Sequence, residues 1–317
     1  MDCVQAIHNF KQIMANLTDK EASAFICWLK ENVTSGSEDH LDMTTENEEN
    51  ADKIIKNIQD ELRHCLPVDA ISDTERIVFP TSGPNADCDS STTVHVDAFL
   101  FEEDIIDQLV DEGRLSRNYC TKCGSREVKP LTFITHSASA SQVKYIFKHL
   151  LPNLTGKMLV DIGSRTGAML YGAHLYSCCK YVVGVEIDEP FCNLQSQIVA
   201  KYNMQDRIQI IHGNIMNQQE ILKCSQVIIL NNVFDFFLSE DEQAKVWHFL
   251  YDTVKEKGTL LVTNPSLSEA LHHLKISIDL ASWVEEQDAT LALSEASKHL
   301  PDIDDEELTC FHLYKVL

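Results

Sequence analysis

Residues 158–167 read MLVDIGSRTG, and this stretch decides how the chain folds. A short apolar run carries Asp161, a turn with two glycines follows, and the next residues, AMLYGAHLYSCC, have the pattern of a helix. A strand-turn-helix unit places backbone N–H groups and a helix N-terminus beside whatever binds at the carboxyl end of the strand. Roughly twenty residues later a second apolar run, YVVGVEID, carries Glu186 near its end, where an acid accepts hydrogen bonds from ribose hydroxyls. The two features predict a site for a nucleoside-containing cofactor.

The spacing of the glycine turn separates two kinds of nucleotide site. A dinucleotide site requires G-x-G-x-x-G directly after the strand, and a nucleotide-dependent oxidoreductase is therefore disfavoured. The turn here is Asp161-x-Gly163-x-Arg165-x-Gly167. It resembles the D-x-G-x-G-x-G turn of class I S-adenosylmethionine-dependent methyltransferases, with Arg165 in place of the middle glycine. An ordinary αβ unit without a ligand is the alternative that these residues leave open.

The resemblance implies S-adenosyl-L-methionine as the cofactor and a role for each residue of the turn. In that family the turn packs against the methionine part, and the acid of the next strand holds the ribose. Asn214 stands where the family often has an acid for the adenine amino group, and an asparagine carbonyl can make a similar contact. A plain surface turn is the alternative for Asn214. The cofactor-binding residues that the resemblance implies are Asp161, Gly163, Ser164, Arg165, Thr166, Gly167, Glu186, Ile187, Asn214 and Ile215.

Two amides and an aromatic residue follow the fourth predicted strand. Asn231 and Asn232 come directly after the apolar run, and Phe234 lies two positions further on. This resembles the Asn-Asn-aromatic element of the non-SET histone lysine methyltransferases, in which such groups orient an amine. The three residues are therefore predicted to position the methyl acceptor. A role for the asparagines in capping and turning the chain is the alternative.

Strand and helix patterns alternate regularly after residue 142, which indicates a parallel sheet with helices on both faces. Class I methyltransferases typically end in a further pair of strands, the last of them antiparallel. The sequence thus predicts an α/β fold, a Rossmann-like methyltransferase sheet, over residues 135–317. The predicted strands are 157–163, 181–188, 207–215, 226–232, 259–265, 276–284 and 309–317.

Residues 1–134 are predicted to form a separate, mostly helical N-terminal region. Apolar residues recur at helical spacing within 1–33 and again over 54–66. Between them, residues 35–52 are polar and acidic, and they are predicted to form a disordered loop. A strand over 94–101 and a helix over 103–113 are predicted further on.

Composition narrows the classes of partner. The net charge is −23, and no run approaches the ~20 apolar residues of a membrane span. Clusters of Lys and Arg, which phosphate backbones require, are missing. We therefore expect a protein or small-molecule acceptor, no naked nucleic acid and no membrane partner; the oligomeric state stays unknown. Scattered cysteines and the lack of a signal-peptide pattern predict an intracellular protein, cytoplasmic or nuclear.

Two further sets of residues are candidates for metal binding or for contact with the cofactor. Cys120 and Cys123 have the spacing of half a zinc knuckle, but zinc requires four ligands and a second C-x-x-C is missing. We therefore predict no metal. His136 precedes Ser137-Ala-Ser-Ala-Ser and lies near the expected mouth of the cofactor site.

The predicted function is methyl transfer from S-adenosylmethionine to an unidentified acceptor, with an amine on a protein as one candidate. The rival is a degenerate methyltransferase fold that binds partners without catalysis. Arg165 decides between them. Its side chain is predicted to contact the carboxylate of the cofactor or to lie on the surface, whereas a side chain inside the pocket would exclude the cofactor.

Overall fold

The computed structural model describes residues 38–83, 85–121, 128–274, 276–300 and 305–317. The chain divides into two compact units, Met1–Lys53 and Ile54–Leu317. Helix α1 (Glu38–Cys65) runs across the boundary between the units. The helices predicted within residues 1–33 lie outside the described residues, and a domain boundary at residue 134 stays a prediction. All that follows concerns the second unit, with the exception of α1.

The first half of α1 corrects a prediction. Residues 38–52 are helical, although their acidic composition predicted a disordered loop over 35–52. Glutamate has a high helix propensity, and a helix that is already nucleated extends at little cost. Ile55, Ile58 and Leu62 are buried on one face of the second half, where the sequence had predicted a helix.

Short elements connect α1 to the main sheet. β1 pairs with β4 in parallel, and His95 lies opposite Ile134. The strand predicted over 94–101 ends early, because Asp97 accepts a hydrogen bond from the Leu100 amide and turns the chain. The helix predicted over 103–113 is confirmed by α2. The elements are β1 (Thr93–His95), α2 (Glu103–Asp111), β2 (Asn118–Cys120), β3 (Val128–Pro130) and β4 (Thr132–Ile134).

The main sheet has seven strands in the order β10-β11-β9-β8-β5-β6-β7. All neighbouring strands from β9 to β7 pair in parallel, whereas β11 is antiparallel to both β9 and β10. The predicted α/β Rossmann-like sheet with an antiparallel last strand is therefore confirmed. The strands are β5 (Met158–Ile162), β6 (Tyr181–Glu186), β7 (Ile208–His212), β8 (Val227–Asn231), β9 (Leu260–Asn264), β10 (Val284–Glu286) and β11 (His312–Val316).

Helices cover both faces of this sheet. Successive residues of a strand point to opposite faces, and Leu159 and Val160 of β5 accordingly belong to two separate apolar clusters. The helices are α3 (Ala140–Tyr145), α4 (Ala168–Tyr176), α5 (Glu189–Lys201), α6 (Gln219–Cys224), α7 (Glu240–Thr253), α8 (Leu267–His272), α9 (Leu280–Trp283), α10 (Thr290–His299) and α11 (Asp305–Thr309).

The strand predicted over 276–284 is wrong for most of its length. Residues 280–283 form the short helix α9, and the strand β10 begins only at Val284. Asp279 starts this helix, since its side chain accepts a hydrogen bond from the Ser282 amide. Trp283 is buried and donates from Nε1 to the Val254 carbonyl at 2.8 Å. Capping by Asp279 and burial of Trp283 outweigh the β-propensity of the isoleucines.

Candidate functional site

The site lies where the order of strands reverses. β5 is flanked by β6 on one side and β8 on the other, and ligands of open α/β sheets bind outside the carboxyl ends of the strands at such a point. Asp161, Glu186 and Asn231 all lie at this edge. A cavity of about 20 Å³ is found there; it is lined by His136, Ser137, Ala138, Asp161, Gly163, Ser164, Arg165, Thr166, Ala168, Met169 and Asn231.

In the turn after β5, every second residue from position 163 to position 167 has a left-handed φ angle. Gly163 and Gly167 have φ angles of 73° and 86°, and a Cβ atom at position 163 would overlap the Val233 side chain. Arg165 has a φ angle of 39°, a region that residues with a Cβ atom seldom occupy. The turn thus retains the geometry of a glycine turn at a position where the sequence has arginine.

The hydroxyl groups within the turn form hydrogen bonds with other side chains of the protein. Ser164 donates to Gln195 Oε1 at 2.9 Å, and the hydroxyl of Thr166 lies 3.5 Å from that of Ser137. Both side chains are buried. The cofactor role predicted for Ser164 and Thr166 therefore depends on their backbone and on the shape of the turn.

Glu186 is buried directly beside the turn. Its carboxylate accepts hydrogen bonds from the amides of Arg165 and Asp188, each at 2.8 Å. Burial is the main influence on the carboxyl and raises its pKa above the usual range. Each carboxylate oxygen retains a second lone pair. The group therefore fixes the turn and can still accept from a diol.

Asp161 is the other buried carboxylate, with 4% of its surface exposed. Among the described residues we find no hydrogen-bond donor to its side chain. Burial, and secondarily the charge of Glu186, raises the pKa of Asp161 to about 8. A buried carboxylate without a partner is costly when it is ionised. The cavity consequently favours a ligand that brings a positive charge or a hydrogen-bond donor to Asp161.

The side chain of Arg165 occupies the cleft and is only 8% exposed. Its Nη2 donates to the Ala70 carbonyl at 2.7 Å and pairs with Glu75 at 3.0 Å. The guanidinium carbon lies 5.0 Å and 5.4 Å from the ring centroids of Phe191 and Phe237. A surface position for Arg165, one of the two orientations predicted, is therefore wrong. Inside the cleft, Glu75 supplies the counter-charge of the guanidinium.

Residues 67–79, here called the covering segment, lie over this edge of the sheet. Besides Glu75 and Ala70, the segment contributes Thr74, which donates to Asp188, and Val78, whose amide donates to the Phe236 carbonyl at 2.8 Å. Burial raises the pKa of Glu75 more than the charge of Arg165 lowers it. The covering segment therefore closes the cleft through polar contacts with the turn and with the loops after β6 and β8.

The predicted acceptor-positioning residues are divided between two places. Asn231 lines the cavity beside Asp161, whereas Asn232 and Phe234 line a second cavity of about 210 Å³. Phe234 packs edge-on against Trp247, with 5.4 Å between the ring centroids. The structure therefore does not bring Phe234 to the cavity that contains Asp161. A joint role for the three residues stays a prediction.

The loops after β6 and β7 hold three of the predicted cofactor-binding residues, Ile187, Asn214 and Ile215. Asn214 caps a short 3₁₀ turn, and its Oδ1 accepts from the Met216 amide at 2.9 Å. Ile215 is buried in the core, whereas Ile187 is 66% exposed. An apolar side chain as exposed as Ile187 is available to cover a planar base. Of the two isoleucines, Ile187 is thus the better placed.

Sequence reasoning missed two residues of the site. Glu75 and His95 belong to the region before the sheet and carry no motif that would have singled them out. His95 Nδ1 lies 2.9 Å from His136 Nε2, so that the two imidazoles form a pair. Both residues reach the site only through contacts between distant parts of the chain.

The strand order of the sheet and its antiparallel strand β11 are those of the Rossmann-like fold of class I methyltransferases. No family model and no curated protein matches the sequence. Among solved structures, an RNA methyltransferase from Salinibacter ruber is similar at 16% identity and a TM-score of 0.32, over 50% of this chain and 78% of that chain. The Escherichia coli protein yhhF is similar at 12% identity and a TM-score of 0.37, over 60% and 92%. The C-terminal domain of a precorrin-6Y C5,15-methyltransferase from Rhodobacter capsulatus is similar at 16% identity and a TM-score of 0.30, over 44% and 70%. At such identities a shared activity does not follow.

Two further findings concern membrane-spanning helices and metal ligands. No helix in the described part of the chain is long and apolar enough to cross a membrane. Cys123 lies outside the described residues, and Cys120 is exposed. Within the described ranges no group of three potential metal ligands occurs.

We expect the purified chain to contain no stoichiometric zinc, because zinc requires four ligands and no second pair of ligands with a diagnostic spacing accompanies Cys120 and Cys123 in the sequence. Elemental analysis of the untagged protein, before and after dialysis against a chelator, measures this. One zinc per chain that disappears in Cys120→Ser but persists in Cys224→Ser would overturn the expectation.

Proposed function

We propose that the chain binds S-adenosylmethionine at the carboxyl edge of β5 and β6 and transfers its methyl group to an acceptor. The observation that carries this proposal is the pair of buried carboxylates, Asp161 and Glu186, at the ends of adjacent strands beside a left-handed glycine turn. A ligand with a ribose and a cationic methionine part matches both groups. Glu186 accepts from the diol, and Asp161 gains a partner of opposite charge or a donor.

The chemistry of the residues fits this cofactor, but the space does not fit it in the closed arrangement. A cavity of about 20 Å³ holds no more than a water molecule. Sites for ligands of this size have volumes of roughly 300–1,000 Å³. Binding therefore requires that the Arg165 side chain and the covering segment move away from the cleft. The polar contacts that hold the closed arrangement are the ion pair Arg165–Glu75, the hydrogen bond from Arg165 to the Ala70 carbonyl, and the hydrogen bonds from Thr74 to Asp188 and from the Val78 amide to the Phe236 carbonyl.

When bound, the cofactor supplies an electrophilic methyl group on a sulfonium. The residues of the chain hold and orient the reactants, which is the main requirement of an in-line displacement. Glu186 fixes the ribose side and Ile187 covers the base. Asn231 stabilises the wall of the cavity that contains Asp161, here called the reaction cavity. Its Nδ2 donates to the His136 carbonyl at 3.5 Å, and its Oδ1 accepts from Asn264 at 3.2 Å.

Calorimetric titration of the full chain tests the proposal. We expect saturable binding of S-adenosylmethionine and of S-adenosylhomocysteine, and none of NAD, since the turn lacks the G-x-G-x-x-G spacing. Binding of NAD alone would replace the proposal with a dinucleotide function. Binding of none of the three by the parent chain would contradict it.

Replacing Glu186 with Gln is expected to weaken binding of S-adenosylmethionine by about 1–3 kcal/mol, because a charged acceptor of hydrogen bonds is lost. Glutamine is nearly isosteric, and its carbonyl can still accept one of the two backbone amides. The measurement is the same titration, accompanied by thermal unfolding to show that the variant is folded. Glu189→Gln, an exposed acid on α5, serves as the control. Unchanged affinity in Glu186→Gln would contradict the ribose position.

One observation favours a second function, a binding protein without catalysis. Arg165 and Glu75 form a buried ion pair inside the cleft, and the aromatic rings of Phe191 and Phe237 flank the guanidinium. A site that is permanently filled by its own side chain would leave only the surface for partners. The two functions differ in whether the parent chain, without any substitution, binds S-adenosylmethionine.

A further inference from the structure

Two histidines form a pair at the wall of the reaction cavity. His136 follows β4 and lines the cavity together with Asp161 and Asn231. His95 lies in β1, which pairs with β4, and the strand pairing brings the two rings together. The ring centroids are 5.1 Å apart, and the ring planes are inclined by 27°. The fold thus places a hydrogen-bonded imidazole pair beside the point where the methyl group would be transferred.

Aromatic rings hold this pair in place. Phe236 and Phe237 approach His136 edge-on at centroid distances of 5.3 Å and 4.8 Å. Phe79 and Phe236 approach His95 at 6.1 Å and 5.4 Å. Burial lowers the pKa of His136 to about 2 and also lowers the pKa of His95. Both imidazoles are therefore neutral near neutral pH, and neither can serve as a cation.

The outer nitrogens of the pair have opposite hydrogen-bonding character. His95 Nδ1 and His136 Nε2 share one hydrogen across 2.9 Å. If His136 donates it, His136 Nδ1 is a bare acceptor and His95 Nε2 carries a hydrogen; if His95 donates it, the two roles are exchanged. Both outer nitrogens are buried and have no hydrogen-bond partner among the described residues. Such groups are rare, and each calls for an explanation.

The cavity has little other free polar capacity. Both ends of the Asn231 amide are engaged, by the His136 carbonyl and by Asn264. Ser137 donates to Asp97 at 2.6 Å. Among the described residues that line it, the groups without a hydrogen-bond partner are the Asp161 carboxylate, His136 Nδ1 and Arg165 Nε. Arg165 Nε can only donate and Asp161 is assigned to the cofactor, so His136 Nδ1 is the acceptor left for the second reactant.

We propose that His136 is a catalytic residue whose Nδ1 accepts a hydrogen bond from an N–H or O–H group of the methyl acceptor, and that His95 is a positioning residue that keeps Nδ1 free of hydrogen. The inference rests on the proposed function and names its substrate class, an amine, amide or hydroxyl that still carries a hydrogen. In the transfer, the acceptor atom forms its bond to the methyl carbon with its own lone pair. The electrons of the broken bond would stay on the sulfur of the donor, and the proton of the methylated atom would pass to water, because the neutral imidazole pair accepts the hydrogen bond without taking up a charge.

Nitrogen NMR of the full chain, labelled with ¹⁵N-histidine, tests this. Long-range ¹H–¹⁵N correlations distinguish a bare ring nitrogen from a protonated one, and the His136 signals are assigned by their loss in His136→Gln. We expect a bare His136 Nδ1 in the protein saturated with S-adenosylmethionine. N-methylacetamide, which has an N–H group, should then shift this signal, whereas N,N-dimethylacetamide at the same concentration should not.

Variants of His95 separate a positioning role from a structural one. In His95→Phe, His136 loses its acceptor, so we expect the His136 tautomers to mix and the response to N-methylacetamide to be lost. In His95→Gln, an amide carbonyl can replace the imidazole, and the response should return. Thermal unfolding shows that each variant is folded.

The outcomes separate the two proposals. Failure to bind S-adenosylmethionine overturns the proposed function and this inference with it. Binding of the cofactor together with a protonated His136 Nδ1, or with equal shifts from both amides, overturns the inference alone.

Discussion

Replacing Arg165 with Gly is expected to lower the free energy of unfolding of the ligand-free chain by about 3 kcal/mol, because a buried Glu75 would lose its counter-charge. The side chains of both partners are less than a tenth exposed, so solvent screens their interaction little. Glycine also suits the left-handed φ angle of 39° at this position, which returns roughly 1 kcal/mol. Denaturant titration measures the difference. Arg114→Gly, which removes an exposed ion pair with Glu112, should leave the unfolding free energy nearly unchanged.

The same Arg165→Gly variant is expected to bind S-adenosylmethionine more tightly. The guanidinium that competes for the cleft is gone, and the closed arrangement loses its ion pair. If the substitution destabilises the closed state by about 1.4 kcal/mol relative to the open state, the apparent affinity for S-adenosylmethionine rises by up to about tenfold. A weaker affinity would instead show that Arg165 binds the carboxylate of the cofactor. A change from no measurable binding to clear binding would favour the function without catalysis.

Replacing Asp161 with Asn is expected to remove most of Asp161's contribution to the loss of stability that the parent chain undergoes between pH 5 and pH 8. The pKa of Asp161 rises from an ordinary value near 3.8 to about 8 on folding, so the folded state holds the proton more tightly than the unfolded state. The stability from this group is complete below pH 3.8 and is lost as the pH rises toward 8. Between pH 5 and pH 8 the loss is on the order of 3 kcal/mol.

The measurement for Asp161 is the free energy of unfolding at pH 5, 6.5 and 8, without ligand. The parent chain should become less stable toward pH 8, and Asp161→Asn should show a distinctly smaller decline. Burial also raises the pKa values of Glu75, Asp97 and Glu186, so part of the decline will remain. Asp252→Asn, at an exposed position of α7, should behave as the parent. An equal decline in the parent and in Asp161→Asn would contradict an ionising Asp161.

The sheet could be predicted because its signal is local. Five apolar runs, each followed by a helical pattern or a turn, specify parallel strands, and the right-handed crossover leaves few possible orders. The positions of Asp161 and Glu186 follow from the same patterns, since each acid stands at the end of an apolar run. The sequence predictions were wrong at residues 38–52, where extension of an existing helix outweighs the acidic composition, and at residues 280–283, where capping and burial outweigh β-propensity.

The sequence by itself determined the αβ order, the glycine turn and the two acids at the strand ends, because hydrophobic periodicity and turn spacing are properties of neighbouring residues. Only the tertiary structure decided where the Arg165 side chain lies and that His136 has a partner. The Arg165–Glu75 and His95–His136 contacts join residues that are 90 and 41 positions apart in the chain. Such contacts depend on which surfaces meet once the sheet has formed, and in both cases a buried polar group takes the nearest complementary group because burial without one is costly.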